Sequence, residues 1–115
     1  MGRMYSIYML YMTIQTFNRK IQNIKNQLQN IGPMRPGTLT RQYRDPKKKI
    51  GPFWQLSHTY RMKSRTEYVR PTFMAQIQKE IARFKRFKKL IQQWIDLALK
   101  LSKLRIDQAK KNLEK

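Results

Sequence analysis

Basic side chains interleaved with aromatic ones are the residues whose types and spacing suggest binding chemistry in this sequence. Between residues 41 and 70 the aromatic residues include Tyr43, Phe53, Trp54, Tyr60 and Tyr68. The basic residues that we predict to contact phosphates there are Arg41, Arg44, Lys47, Lys48, Lys49, Arg61, Lys63, Arg65 and Arg70. Lysine and arginine attract phosphate groups, and arginine binds them through paired hydrogen bonds. The pattern therefore predicts a polyanionic partner, with nucleic acid as its class.

The aromatic residues of this stretch have two interpretations. Exposed rings would stack on nucleic-acid bases, whereas packed rings would form the core that a small sheet needs. We favour packing for the aromatic residues and phosphate binding for the cations. The alternative for the cations is that they keep the edges of the sheet soluble.

A second basic cluster lies between residues 79 and 89. The members that we predict to contact nucleic acid are Lys79, Arg83, Arg86 and Lys89. On a helix they would lie away from Ile77 and Ile81. A solvated helix normally interleaves acidic residues at i,i+4 spacing, and here Glu80 is the acidic residue of the stretch. We therefore expect the partner of these cations on another molecule, with a plain solvated face as the alternative.

The overall charge supports the same prediction. The 115 residues include 26 Lys and Arg against six Asp and Glu, which gives a net charge of +20. Repulsion on that scale opposes a compact state unless counterions or a polyanion screen it. Hydrophobic residues make up 40% of the chain, which argues against complete disorder. The length suits one modest core, so we predict a single domain over residues 1–115.

Cysteine and histidine usage excludes several kinds of chemistry. The chain has no cysteine and a single histidine, His58, which excludes disulfides, thiolate metal sites and most schemes with a histidine base. The acidic residues are too scattered for a carboxylate pair, and no Walker-type loop or nucleophile motif occurs. We therefore expect no enzymatic activity, catalytic residue, cofactor, metal or small-molecule substrate.

Helical periodicity marks both ends of the chain. Apolar residues alternate at spacings of 3 and 4 from Ile7 to Ile31, which is a heptad seam, and Gly32-Pro33 ends it. This predicts a helix over about 7–31. A wider apolar stripe predicts a long helix over about 72–110, with Thr72 as its N-cap. The seam must pack on a helix of this chain or of a second copy, and we favour an antiparallel coiled-coil-like pair.

The middle of the chain, residues 38–70, predicts a basic loop and a β-hairpin. Turn-forming residues leave room for a short strand over 38–43. Residues 53–60 and 64–70 are rich in aromatic and β-branched types, as antiparallel strands are. Their Arg61-Met62-Lys63 connection lacks the Asn-Gly signature of a tight turn, so the turn type stays open. The predicted fold class is α+β, mainly helical, with a small antiparallel sheet between two helices.

The first twelve residues are apolar but do not predict a membrane span. They are shorter than a bilayer requires, and no small-residue cleavage site follows them. We expect no membrane partner, although attachment to a membrane surface through residues 1–12 is a weaker alternative. The absence of cysteine suits the cytoplasm, where we expect the protein.

An ordered set of motifs resembles a family of small uncharacterised prokaryotic proteins. Its members share P-G-[ST]-L, R-Y, G-P-[YF]-[YW], T-x-Y-V and a long basic helix with a Trp-[IV]-Asp-Leu segment. The corresponding segments here are PGTLTRQYR, GPFWQLS, KSRTEYVRP and RFKRFKKLIQQWIDLALKLSKLR, within residues 22–106. Many members carry cysteines where this chain has DPKKKI, residues 45–50. The resemblance implies the domain layout and a prokaryotic source, without a metal site.

Two function hypotheses follow. The first is a non-enzymatic protein that binds DNA or RNA through phosphate contacts of the basic hairpin, loop and helix face. The second is a helical interaction module, a coiled-coil homodimer or a subunit of a larger complex, in which charge serves solubility.

Overall fold

The structure is a computed structural model that describes the backbone of residues 7–113 and side chains from residue 9 onward. Residues 1–6, half of the apolar start, lie outside the described residues. The chain forms two long helices separated by three strands. In order, the elements are α1 (Ile7–Gln29), β1 (Thr38–Asp45), β2 (Ile50–Tyr60), β3 (Lys63–Val69), a 3₁₀ turn (Pro71–Phe73) and α2 (Met74–Leu113). This architecture confirms the predicted α+β, mainly helical fold.

The chain divides into two compact units. We call residues 31–87, which contain the strands and the first part of α2, the sheet unit. We call α1 together with the part of α2 from Lys88 onward the helix unit. Within the described residues, no helix is long and apolar enough to cross a bilayer.

The helix unit is an antiparallel pair, as predicted. Its core contains Ile14, Ile21 and Leu101, and Phe17, Trp94, Leu97 and Leu104 pack around it. The direction follows from two contacts. Arg105 Nη2 donates a hydrogen bond to Asn18 Oδ1 at 3.4 Å, and Lys25 Nζ lies 5.2 Å from the centroid of the Trp94 ring. The heptad seam of α1 is therefore used inside this chain.

The sheet unit contains a three-stranded antiparallel sheet in the order β1-β2-β3. Leu56, at the centre of β2, is fully buried and packs with Val69 of β3 and Ile81 of α2. Side chains alternate between the two faces of a strand, so Leu39 and Trp54 share the helix-facing side with Leu56. They pack against the same core.

Gly37 permits a close approach that the core of the sheet unit requires. A Cβ at this position would lie 2.6 Å from Leu56 Cδ1. Because Leu56 is fully buried, its side chain has no open space to move into. The glycine in the predicted turn region therefore serves packing, beyond its role as a turn former.

β1 extends to Asp45 instead of residue 43, β3 spans Lys63–Val69 instead of 64–70, and α2 ends at Leu113 instead of about 110. Three further boundaries also differ from the sequence prediction. First, β2 begins at Ile50 instead of residue 53 and includes Pro52. The pairing with β3 ends at Trp54, so Pro52 has no partner strand on that side and its missing amide hydrogen is tolerated. Second, α2 begins at Met74, because residues 71–73 form a 3₁₀ turn in which Thr72 is not the cap. Third, α1 ends at Gln29, two residues earlier than predicted.

Candidate nucleic-acid interface

The β2–β3 hairpin projects beyond the part of the sheet that packs on the helix. Its strands pair from Trp54↔Val69 to Tyr60↔Lys63. Leu56 and Val69 are buried, whereas every residue from 59 to 68 is exposed. We call residues 58–65 the hairpin arm. The arm exists because the strand pairing continues for four pairs beyond Leu56↔Glu67, the last pair with a buried apolar side chain.

An open cleft of about 680 Å³ lies along the arm. The register places His58 opposite Arg65 and Tyr60 opposite Lys63, and directly paired residues share one face of a sheet. The complete lining is Arg35, His58, Tyr60, Arg61, Lys63, Arg65, Thr66 and Glu67. Four of these side chains are cationic and one is a carboxylate, so the cleft has a net positive charge.

Arg35 is the cation of this cleft that the sequence did not predict. Its guanidinium Nη2 donates a hydrogen bond to Glu67 Oε1 at 3.0 Å, an ion pair whose side chains are 32% and 57% exposed. Its backbone N–H donates to the carbonyl oxygen of Glu80 at 3.2 Å. No local sequence signal marks Arg35, because its position depends on contacts 32 and 45 residues away along the chain.

His58, one of the residues that line the cleft, has a ring nitrogen without a hydrogen-bond partner among the described residues. This atom, Nδ1, is buried. A buried polar atom without a partner is unfavourable. A ligand or water that supplied a hydrogen bond at this position would remove that penalty.

The turn between β1 and β2 presents the three predicted lysines, Lys47, Lys48 and Lys49, all of them exposed. The Lys48 N–H donates to Asp45 Oδ1 at 3.3 Å, and Lys49 has a left-handed φ of 53°. This turn and the hairpin arm lie at opposite ends of β2. Residues 50–57 of β2 separate them by about 26 Å, at roughly 3.3 Å per residue of extended strand. The structure therefore does not join the two basic segments into one patch.

The remaining sheet cations are exposed but spread over the sheet. Arg41 shares the face of Trp54, and its guanidinium carbon lies 5.6 Å from the centroid of the Tyr43 ring. Arg44 lies on the opposite face, where a Cβ on Gly51 would approach its side chain to 3.1 Å. Arg70 follows the end of β3. None of these three lines the cleft of the arm.

The cations predicted on the helix divide into two groups. Lys79, Arg86 and Lys89 are exposed on α2, as a binding face requires. Arg83 is half-buried, and its Nη1 donates a hydrogen bond to the carbonyl oxygen of Pro33 at 3.1 Å. Arg83 therefore stabilises the segment that follows α1.

The aromatic residues also divide, although the sequence favoured packing for all of them. Trp54 packs against the core as expected. Tyr60 and Tyr68 are 61% and 58% exposed, because one lies on the arm and the other on the face of the sheet away from α2. Phe53 shares that outer face, with its ring centroid 6.3 Å from that of Tyr68.

Comparisons with known proteins add no relative. No family model, no curated protein and no solved structure matches the chain. The family resemblance described above therefore stays a prediction, and the functional argument depends on the residues of this chain.

Proposed function

We propose that this protein binds nucleic acid through its phosphates, with the hairpin arm as the principal contact. The observation that carries the proposal is the cleft along the arm, where Arg61, Lys63 and Arg65 converge with Arg35. An exposed arm presents its cations to a partner without rearranging the core. The predicted cations of the β1–β2 turn and of α2 would add secondary contacts where the polyanion is long enough to reach them.

Such binding would tolerate many sequences. Phosphate contacts fix the position of a protein on nucleic acid but read no bases. Each phosphate that a cation neutralises releases condensed counterions, so affinity falls as salt rises. With three or four arm contacts, log K would fall by roughly 3 for each log unit of salt on duplex DNA.

A salt titration tests this function directly. Fluorescence anisotropy would follow the binding of labelled DNA and RNA, single-stranded and duplex, from low to physiological salt. A peptide nucleic acid of the same sequence is the matched control, because it keeps the bases and lacks the phosphates. We expect salt-dependent binding to the charged polymers and none to the neutral one. Salt-insensitive binding, or no binding at low salt, contradicts the proposal.

A second candidate function, self-association, is favoured by an observation on α2. Ile95, Leu99, Ile106 and Leu113 are 53%, 67%, 54% and 86% exposed. Together with the exposed Ser102 and Ala109 they follow spacings of 4, 3, 4, 3 and 4, which is a heptad seam. We call these six residues the outer seam. It differs from the residues that pack on α1, so the helix unit leaves it uncovered.

The chemistry of the outer seam fits a second copy in antiparallel orientation. That orientation would place Ile95 against Leu113, Leu99 against Ala109 and Ser102 against Ile106. It would also bring the exposed Asp96 of one copy near the exposed Lys110 of the other, twice by symmetry. A parallel pair would place Arg105 near Lys110, and the antiparallel pair places Lys103 near Lys103 of the other copy. Both orientations therefore need salt to screen like charges, and the Asp96–Lys110 pairs are what favours the antiparallel one.

Sedimentation at low and high salt separates this candidate from the first. Self-association of two chains of net charge +20 should strengthen as salt screens their repulsion, whereas nucleic-acid binding should weaken. The Leu99→Lys variant should remain monomeric, and Gln93→Lys, which adds the same charge at an exposed position outside the seam, should behave as the unmodified protein. A monomer at every salt concentration contradicts the candidate.

A further inference from the structure

The tip of the hairpin arm has a backbone conformation that its residues do not favour. Two residues, Arg61 and Met62, connect β2 to β3, and their φ angles are 51° and 65°. Two left-handed residues in a two-residue hairpin define the turn type that normally selects Asn-Gly. Side chains with a Cβ are strained in this region, and such strain often marks a functional position.

The strained turn displays an exposed apolar side chain at the tip of the arm. Met62 is 97% exposed, and the neighbouring Tyr60 is 61% exposed. The Arg61 guanidinium carbon lies 5.2 Å from the centroid of the Tyr60 ring, so the aromatic ring and the cation form one surface. Lys63 pairs across from Tyr60. The tip is therefore a single flexible apolar side chain between two cations.

We propose that Met62 inserts between adjacent bases of a nucleic-acid duplex, while Arg61 and Lys63 contact the phosphates on either side. The inference rests on the proposed function, since it requires that the arm binds nucleic acid. Methionine is among the apolar side chains that proteins insert between base steps, partly unstacking and kinking the duplex. A glycine at position 62 would relieve the turn but would leave nothing to insert.

A duplex fits the tip better than a lipid bilayer does. Stable attachment to a membrane needs a broad apolar face or more than one anchor, and the tip offers Met62 with the neighbouring Tyr60 ring, flanked by cations. A base step, in contrast, accepts one side chain. The cationic cleft behind the tip also continues along the arm, as contacts to a phosphate backbone would require.

The test uses duplexes with a 2-aminopurine base, whose fluorescence rises when the base unstacks. DNA and RNA duplexes of one sequence would be titrated with the full chain. The Met62→Gly variant keeps every cation and relieves the strained turn, so it should fold at least as stably as the unmodified protein. Met62→Leu keeps an apolar side chain of similar size. Met12→Ala, which trims a side chain that is 47% exposed in the helix unit, is the control.

We expect the unmodified protein to raise the fluorescence of at least one duplex. Which duplex responds also identifies DNA or RNA as the ligand. Met62→Gly should bind about three- to tenfold more weakly with the same salt dependence and without the rise. Met62→Leu and Met12→Ala should keep the rise.

Four results would overturn the inference. Salt-dependent binding without a fluorescence change, or the same change with Met62→Gly, would exclude insertion and leave the proposed function intact. If Met62→Gly abolished binding to anionic phospholipid vesicles and left the duplex signal unchanged, the tip would be reassigned to membranes. A complete absence of binding at low salt would remove the proposed function and the inference together.

Discussion

The sheet unit and the helix unit carry almost the same charge but present it differently. Residues 31–87 contain fourteen basic and three acidic residues, and the rest of the chain contains twelve and three. In the sheet unit, four cations converge on one cleft beside an exposed turn. In the helix unit the exposed surface of α2 mixes cations with an apolar seam. Net charge indicates the class of partner, and the arrangement of the charges indicates where it binds.

The two units also differ in what their exposed apolar residues suggest. The outer seam of α2 repeats along the helix, which suits a partner helix of similar length. Met62 and Tyr60 instead cluster at one turn, which suits a local contact. We therefore propose association between proteins for the helix unit and nucleic-acid contact for the sheet unit, and each proposal can be tested separately.

The largest expected effects come from the two cores. Leu56→Ala should lower the free energy of unfolding of the sheet unit by about 2–5 kcal/mol, because it leaves a cavity at a fully buried site. Leu101→Ala, 5% exposed, is its counterpart in the helix unit. Urea unfolding followed by Trp54 fluorescence in a Trp94→Phe background, and by Trp94 in a Trp54→Phe background, measures each unit. A cost below about 1 kcal/mol for Leu56→Ala would contradict the described core.

A smaller loss of stability is expected from Gly37→Ala. The added Cβ would lie 2.6 Å from Leu56 Cδ1, and overpacking of this kind typically costs about 1–3 kcal/mol. The Trp54 signal should shift to lower urea concentration. The control is Ser102→Ala, at an exposed position of α2, which should leave the midpoint of the Trp54 transition unchanged. An unchanged midpoint for Gly37→Ala would contradict the close approach to Leu56.

The smallest expected effect concerns the carboxylate of the cleft. Glu67→Gln removes the negative charge beside Arg35, so affinity for nucleic acid should rise about two- to threefold, with stability changed by less than about 1 kcal/mol. Asp96→Asn removes the same charge from the helix unit and should change affinity less. Anisotropy titrations at one low salt concentration compare the two variants. An equal gain from both would mean that only net charge matters.

Much of the fold could be predicted because periodicity is a local property of the sequence. The heptad seam of α1 and the long stripe of α2 predicted two antiparallel helices, and alternation predicted the strands of the hairpin. Residues 50–52 lie outside the predicted strands, yet they belong to β2. Their place in the strand depends on pairing with β1, where Pro52 lies opposite Tyr43 and Ile50 opposite Asp45, and no local pattern encodes that pairing.

The candidate site was predictable in composition and not in arrangement. Exposure of twelve of the thirteen predicted cations follows from their charge. That Lys47 and Arg61 lie at opposite ends of β2 depends on its length, and the contribution of Arg35 depends on its pairing with Glu67. The sequence placed Met62 in the connection between two predicted strands, but it did not predict the type of turn. The significance of Met62 required the φ angles of the turn.

The most direct test compares the removal of three positive charges from each unit. One variant carries Arg61→Gln, Lys63→Gln and Arg65→Gln in the arm, and the other carries Lys100→Gln, Lys103→Gln and Lys110→Gln at exposed positions of α2. The salt dependence of duplex DNA binding would be measured for both. We predict that the slope of log K against log salt falls in magnitude by roughly 2.7 in the arm variant, because each phosphate contact contributes about 0.9. The helix variant should keep most of the slope of the unmodified protein. Equal losses in the two variants, or a larger loss in the helix variant, would contradict the assignment of nucleic-acid binding to the hairpin arm.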